Sequence, residues 1–560
     1  MPSDDLAPPT PRGPKHAAPR RRPAAPERAP RSRARANPTT RSRRLWPANR
    51  WARLGLTLFI VLALLVAGYV GYVSYEASKI THVAVGNLTG GTTDGAAAGS
   101  ENILMVGSTD RCALKTQNPI YGLCSQGVTG VNSDVVMVLH LDPTAKRVSI
   151  LSIPRDTFIP NARKDGANKI DAALAEGPSQ LVNAVQEDFG IPIQHFVELN
   201  FDTFAGVVDA LGGVNMYFPK RLYDAYSQLK QFHIGCNHLD GMAALTVVRA
   251  RHLQYQPNDS YGPNVANWPQ EAQSDLARIR RNHEFLRVLA AAVSAKGIGN
   301  PITDAKLVSA VAPQLTVDSG LSTSHMLSLI STYHGIDSQT APQYTLPVMS
   351  SNSYSYLYKG YDYGNVAFPD LTPDLTTIQS FLGVDASTNT MNGKPLPSPS
   401  QVTVSVMNGS GVSGQAASTA ASLQALGYKI GTVGDVTPVG PIAETLVAYN
   451  AKDPGTLAAA QRVLRSVSGQ AILAYEPHNP AAVTLVTGTH FAIAAPPAKV
   501  TTTTTKPSTT TSSAKGTTTT TSTPPTTTTT VPGFAPTASA TSTLEYWDPR
   551  SCTASGGAGP

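Results

Sequence analysis

Cysteine is scarce. Four residues in 560, at positions 112, 124, 236 and 552, cannot make a disulfide framework, and no C-x-x-C or C-x-x-H pair suggests zinc. Charge is scarce as well: Asp, Glu, Lys and Arg make up 14% of the chain, against about 25% in an ordinary globular protein, so something other than compact domains dilutes it. G-x-S-x-G, H-E-x-x-H and a P-loop are all missing. Their absence removes the usual signatures of serine hydrolases, zinc proteases and P-loop nucleotide-binding folds. The formal charge of +7 would fit a nucleic-acid binder if it were spread over a folded surface, but it is not. Residues 1–53 hold 14 Lys and Arg against 3 acids, leaving 30 basic and 34 acidic groups in the rest. The basicity is confined to an N-terminal arm with no stacking aromatics, so no nucleic-acid partner is expected.

That arm, residues 1–53, is rich in Pro, Ala and Arg and has no hydrophobic period, the composition of a disordered segment. Residues 54–74 open with the uncharged run LGLTLFIVLALLVAGYVGYV, about 20 residues and long enough to cross a hydrocarbon core. Trp46 and Trp51 precede the run, and Tyr69, Tyr72 and Tyr75 close it, as interfacial aromatics do. The run is too long for a signal-peptide core and has no A-x-A site. It predicts a single-pass anchor in the cell membrane. By the positive-inside rule the arm is then cytoplasmic and the remainder extracytoplasmic.

Residues 75–100 are a small-residue stem, and residues 101–385 alternate strand-like and helix-like segments. Asn102–Val106, Val135–Leu141 and Val148–Ile153 are nearly apolar throughout, as strands buried on both faces are. His195–Asn200 and Val214–Phe218 also read as extended, while 177–189, 203–211 and 272–293 read as helices. The fold class is α/β, a sheet core covered by helices. A linker at 386–400 leads to a second, small α/β module at 401–491, and residues 492–560 are a Thr/Pro/Ser-rich tail expected to be disordered. Cys112 and Cys124 lie close enough to bridge. Cys236 and Cys552 have no evident partner in the sequence.

Candidate chemistry gathers in three places. The turn DPTAK joins two apolar strands, and symmetric pairing about it sets Asp134 across from Arg155, with Asp156 beside them. If VVRARH (247–252) is extended, Arg249 and Arg251 share a face. On the helix SDLARIRRNHEFLRVL, Arg278, Arg281, Asn282 and Phe285 follow at i, i+3, i+4 and i+7, beside an apolar stripe. A run of arginines on a helix is ordinarily a solvated face. Several arginines from separate elements, in a region that is not basic overall, suit bidentate grip on phosphate oxygens. With paired carboxylates for a metal, they are the equipment of phosphoryl transfer.

At these residues the sequence resembles the LytR–CpsA–Psr family of cell-wall ligases. The blocks that carry the resemblance are NILMVGSTDR (102–111), SDVVMVLHLDPTAKRVSILSIPRDTFIP (133–160), NKIDAALAEGP (168–178), IPIQHFVELNFDTFAGVVDALGGVNMYFP (191–219), LDGMAALTVVRARH (239–252) and SDLARIRRNHEFL (274–286). The module at 401–491 is similar to the C-terminal domain often appended to such proteins. The resemblance implies a membrane-bound transferase that moves a glycan from a polyprenyl-diphosphate carrier to peptidoglycan through a phosphodiester. It implies catalytic roles for Asp134, Arg155 and Asp156. Arg155, Arg249, Arg251, Arg278, Arg281 and Asn282 would bind the diphosphate, and Asp110 with Asp134 would hold Mg²⁺ or Mn²⁺. The sequence departs from the family at Thr109, where a metal-binding Asp is usual and Asp110 follows one place later. It departs again at Asn132 in place of Arg, and at Asn282-His283 in place of Gln-Gln. A lipid-diphosphate phosphatase and a non-catalytic wall-binding protein remain open as alternatives.

Overall fold

The computed structural model describes residues 50–90, 99–112, 122–272, 274–296, 315–333, 341–351, 355–437, 444–493 and 543–553, with a few shorter pieces between and after them. The basic arm, part of the stem and most of the Thr-rich segment lie outside the described residues. Helix α1 is Arg50–Ala77. Its side chains through residue 62 are also outside the description, and among the described residues no helix is long and apolar enough to cross a membrane.

Seven strands form the central sheet: β1 (Thr81–Val83), β2 (Glu101–Ser108), β3 (Ser133–Asp142), β4 (Arg147–Ile153), β5 (His195–Leu199), β6 (Thr316–Asp318) and β7 (Gln343–Thr345). Their order is β1-β6-β5-β2-β3-β4-β7. β2, β3 and β4 run antiparallel, while β5 lies parallel to β2 and β7 parallel to β4. The β3–β4 hairpin has the register its turn predicts, with Val136 opposite Ile153 and Asp142 opposite Arg147. Asp142 fixes that turn by accepting from the Thr144 and Ala145 amides at 2.9 and 2.8 Å.

Both faces of the sheet are apolar, and they are covered differently. Leu104, Val106, Val138 and Leu151 pack on Leu181, Val182 and Val185 of helix α2 (Pro178–Phe189). α2 starts with Pro at its first turn and ends at Gly190, whose φ of +65° suits glycine. Helices α3 (Phe201–Ala210), α4 (Gly241–Arg249) and α5 (Ser274–Lys296) complete the other side of this region. Asn200 and Asp240 cap α3 and α4 by accepting from the amides three residues on. Gly241 lets the two helices touch, since a Cβ there would stand 2.2 Å from the Ala205 carbonyl oxygen. The expectation that 247–252 is extended fails. Capped by Asp240 and rich in Ala and Leu, the segment is helical through Arg249 and bends only afterwards.

The 401–491 module is a five-stranded sheet of β8 (Thr403–Asn408), β9 (Lys429–Asp435), β10 (Thr445–Tyr449), β11 (Ala471–Tyr475) and β12 (Val483–Thr487), in the order β9-β8-β12-β10-β11, with helices Gln415–Ala425 and Pro454–Leu464. It is not a loosely tethered appendage. Ile472 belongs to the same buried cluster as α2, and the Asn161 side chain pairs with the Tyr475 backbone in both directions, at 2.9 and 3.2 Å. The linker is fastened where Thr390 donates to the Gly190 carbonyl at 2.5 Å.

Two expectations about the C-terminal segment are corrected. Residues 543–553 do not continue the Thr-rich tail as a free end. Arg550–Ser551 pairs antiparallel with the strand Val214–Phe218, and Asp548 is wholly buried. Cys236 and Cys552, for which the sequence offered no partner, pair with each other, while Cys112–Cys124 forms as expected. The chain therefore leaves the second domain and returns to the first.

Two buried histidines give the fold a pH dependence. His283 meets the Ser152 hydroxyl at 2.8 Å, and burial, with Arg287 nearby, pulls its pKa from 6.5 to about 4. His140 contacts Asn102 at 2.8 Å and is lowered to about 4 by burial and by Arg147. The unfolded imidazoles bind protons near 6.5 and the folded ones do so only near 4, so this stability is complete above 6.5 and is lost as pH falls toward 4. Urea denaturation between pH 7 and 4.5 should show a decline that His283→Gln makes shallower by roughly 1–3 kcal/mol. Equal slopes would mean that His283 takes up its proton as readily folded as unfolded.

Candidate functional site

Pro154 has no N–H to extend the ladder, so β4 stops at Ile153 and the chain turns, with the Thr157 amide donating to the Pro154 carbonyl at 3.1 Å. Arg155 and Asp156 stand in that turn at the open end of the hairpin. Arg155 Nη1 donates to Asp134 Oδ1, as the register requires. Arg155 also faces Asp156 at 3.5 Å and Asp171 at 4.0 Å.

Two further elements bring arginines to the same place. Arg251, just past α4, reaches Asp156 at 3.4 Å and Asp275 at 3.5 Å, while the Arg251 and His252 amides donate to buried Asp224 at 2.8 Å each. Arg278 of α5 donates to the Asp134 backbone carbonyl at 2.6 Å and pairs with Asp275 at 2.7 Å. Lys169 contacts Asp156 at 3.2 Å. The sequence reading missed Asp171, Lys169 and Asp275. The first two lie in the block NKID, and Asp275 stands one helical turn before Arg278, but nothing local says that these charges converge.

The cluster holds cations against carboxylates in a half-buried setting. Burial opposes ionisation of Asp134, yet Arg278 and Arg155 outweigh it and hold the carboxyl below its usual range. Burial alone would lower the affinity of Arg155 for its proton; Asp134 and Asp156 reverse that and raise it. Asp171 goes the other way, pushed up to about 6 by burial although Arg155 pulls it down. The Nε–H groups of Arg155 and Arg251 lie 3.5 Å from Asp156 and Asp275 without forming a hydrogen bond, and that of Arg278 is buried without one. Planar guanidinium groups are the donors that pair with a phosphate oxyanion in a bidentate way.

Beside the cluster lies a cavity of about 140 Å³. Asp134, Arg249 and Arg278 form its polar end, and Met105, Met137, Leu199, Phe204, Leu245 and Phe285 are among its apolar walls. Arg249 sits 4.6 Å over the Phe201 ring, and Asn282 also lines the space. Arg281 does not join the site. It is 1% exposed, donates to Glu271 at 2.7 Å and to the Ala250 carbonyl at 2.5 Å, and faces Asp548. Its expected diphosphate contact is therefore replaced by a structural one.

Asp110 lies in the loop after β2 that the Cys112–Cys124 bridge closes, and its Oδ1 accepts from the Cys112 amide at 2.9 Å. Its charge helps burial to raise the pKa of Glu198 on β5, against a hydrogen bond from Ser108. Among the described residues, the one group of three His, Cys, Asp or Glu side chains with ligand atoms within 4.8 Å of one another lies elsewhere, at Glu101, His195 and His325.

Comparison with known proteins follows the same division of the chain. Residues 70–369 match the LytR_cpsA_psr family, and residues 401–491 match the family described as LytR cell envelope-related transcriptional attenuator. A probable cell wall biosynthesis protein LcpB of Corynebacterium glutamicum is 32% identical over 273 residues, 48% of this chain and 58% of that protein. The cell wall biosynthesis protein LcpA of the same organism is 28% identical over 417 residues, 67% of this chain and 75% of LcpA. A polyisoprenyl-teichoic acid–peptidoglycan teichoic acid transferase TagU of Bacillus anthracis is 32% identical over 144 residues, 26% of this chain and 46% of TagU. With its sheet core, charged hairpin end and first domain all accounted for by that match, the chain belongs to the LytR–CpsA–Psr family.

Proposed function

We propose that this chain is a membrane-anchored, extracytoplasmic transferase that moves a glycan from a polyprenyl-diphosphate carrier to peptidoglycan through a phosphodiester bond. The observation that carries this reading is an apolar cavity lined also by Arg249 and Arg278, with Arg155 beside it on the lining residue Asp134, complementary to an amphiphile with an apolar tail and an anionic head. The volume is below the roughly 300–1,000 Å³ of an ordinary ligand pocket. A long prenyl chain therefore enters as the flexible Met105 and Met137 side chains give way. The names of the relatives LcpA, LcpB and TagU point to wall-polymer chemistry in the same direction.

In this reading Arg155, Arg249, Arg251 and Arg278 bind and orient the diphosphate, Asn282 borders the entry, and Asp156 holds Arg155, Arg251 and Lys169 in place. A hydroxyl of the acceptor sugar attacks the glycan-side phosphorus. A new P–O bond to the acceptor forms, the diphosphate bridge breaks, the lipid monophosphate leaves and the hydroxyl proton passes to water. Asp134, kept ionised, and Asp110 are hard oxygen donors of the kind Mg²⁺ or Mn²⁺ takes. When bound, such an ion would neutralise charge on the diphosphate. The anchor follows from the run at 54–74, and a lipid-borne substrate confined to the same membrane raises the effective concentration at the site.

Arg155→Ala and Arg249→Ala should each weaken binding of geranylgeranyl diphosphate, measured by calorimetry, by about 10- to 150-fold, the loss of one charge-assisted contact. Unchanged affinity in both would return the arginines to a structural role and remove the diphosphate from the site.

Asp110 decides the metal. Transfer titrated with Mg²⁺ should saturate at a higher concentration in Asp110→Asn than in the parent protein, while Asp134→Asn should lose transfer at any concentration. Superimposable curves for parent and Asp110→Asn would mean that Asp110 is not a ligand.

Topology has its own check. External protease on intact cells lacking an outer barrier should digest the 401–491 domain and spare the basic arm. Protection of that domain would refute the anchor orientation.

A further inference from the structure

The segment 543–553 is bound more thoroughly than a surface tail needs. Trp547 stacks on Tyr255 with centroids 4.1 Å apart and planes 7° apart, and its indole N–H points to Glu271 at 3.4 Å. The Ser551 amide donates to Glu284 at 2.9 Å, and Cys552 is bonded to Cys236. Between these attachments the Asp548 carboxylate is fully buried. It accepts from Arg280 Nε at 2.6 Å and faces Arg281 at 3.7 Å.

Arg281 connects this segment to the site. One guanidinium nitrogen serves Glu271 and Asp548, and the other donates to the carbonyl of Ala250, the residue between Arg249 and Arg251. One turn earlier on the same helix is Arg278. A charge supplied from far along the chain thus lies at the back of the elements that carry Arg249 and Arg278, which line the cavity, and Arg251, which joins the charged cluster beside it. Removing it would leave Arg280 and Arg281 buried with less counter-charge, and such groups reorient rather than stay in place.

We infer that residues 543–553 are a strap that completes the phosphate-binding site, with Asp548 as a positioning residue. Through Arg281 and the Ala250 carbonyl it holds Arg249 at the cavity wall and Arg251 in the charged cluster beside it. The Cys236–Cys552 bond makes the attachment covalent. This rests on the polyprenyl-diphosphate reading above, and the test separates the two.

The full chain carrying Asp548→Asn is compared with the parent for binding of geranylgeranyl diphosphate and of geranylgeraniol, which has the same tail and no phosphate. The strap predicts at least a tenfold loss for the diphosphate, little change for the alcohol, and recovery of most of the loss in Asp548→Glu. Equal losses for both ligands, or none, overturn the positioning role. Amide hydrogen exchange at Arg251 and His252 is the second readout, and it needs no ligand. Asp548→Asn should speed it at least tenfold, whereas an unchanged rate would mean that Asp224 alone fixes this bend. If the parent binds no polyprenyl diphosphate, the functional reading fails while the exchange result still decides the strap. Should Asp548→Asn not fold, the double variant Trp547→Ala/Cys552→Ser loosens the strap and leaves every charge in place. The same diphosphate-selective loss is then expected, and unchanged diphosphate binding overturns the inference.

Discussion

The pair Asp134–Arg155 is the contact on which the rest of the site depends. It exists because the β3–β4 hairpin closes on a short turn in symmetric register and because Pro154 ends β4 where Asp134 begins to need a partner. A slip of one residue would send every side chain of the hairpin to the opposite face. Arg155 would then be lost from the cluster, together with its approach to Asp156 and Asp171. Arg278 is tied to the same point, since it bonds the Asp134 carbonyl while its charge sustains the carboxylate.

A half-buried group of arginines and acids is not a source of stability in itself. Desolvating the ions costs about as much as their mutual attraction returns, and breaking one pair leaves its partner exposed to that cost. What the arrangement provides is a set of guanidinium groups already fixed in direction, three of them with an N–H lacking a hydrogen bond. Donors held in this way need little reorganisation to meet an anion.

Much of this was legible in the sequence, and the boundary of legibility is physical. The hairpin register could be read because a two-strand turn is local. The α/β assignment, the second domain and the Cys112–Cys124 bridge were likewise set by short-range pattern. Arg281 was misread because an i, i+3 spacing shows that two side chains neighbour each other on a helix without showing what covers each. Its partners are Glu271, the Ala250 carbonyl and Asp548, the last far along the chain. Arg249 and Arg251 were recognised, but the extended conformation considered for them does not form; Val-Val next to Arg-Ala-Arg reads as extended unless the Asp240 cap is given its weight. The strap was invisible for another reason. Tyr546, Trp547 and Asp548 follow a long Thr-rich stretch and are too few to make any period, so composition assigns them to the tail.

The two faces of the central sheet explain why a binding cavity can exist in a domain this well packed. Leu104 and Val106 alternate along β2 with Met105 and Gly107, so one strand serves both sides. On the first side, α2 and Ile472 of the second domain close a continuous core. On the second side, Gly107 has no side chain to fill the space, and a Cβ there would already press on Val135 at 3.0 Å. Met105, Met137 and Phe285 meet across the space that is left. The two thioethers among these walls are unbranched and adaptable, so they keep the wall apolar while letting it part. The second domain thus supports the face of the sheet opposite the cavity.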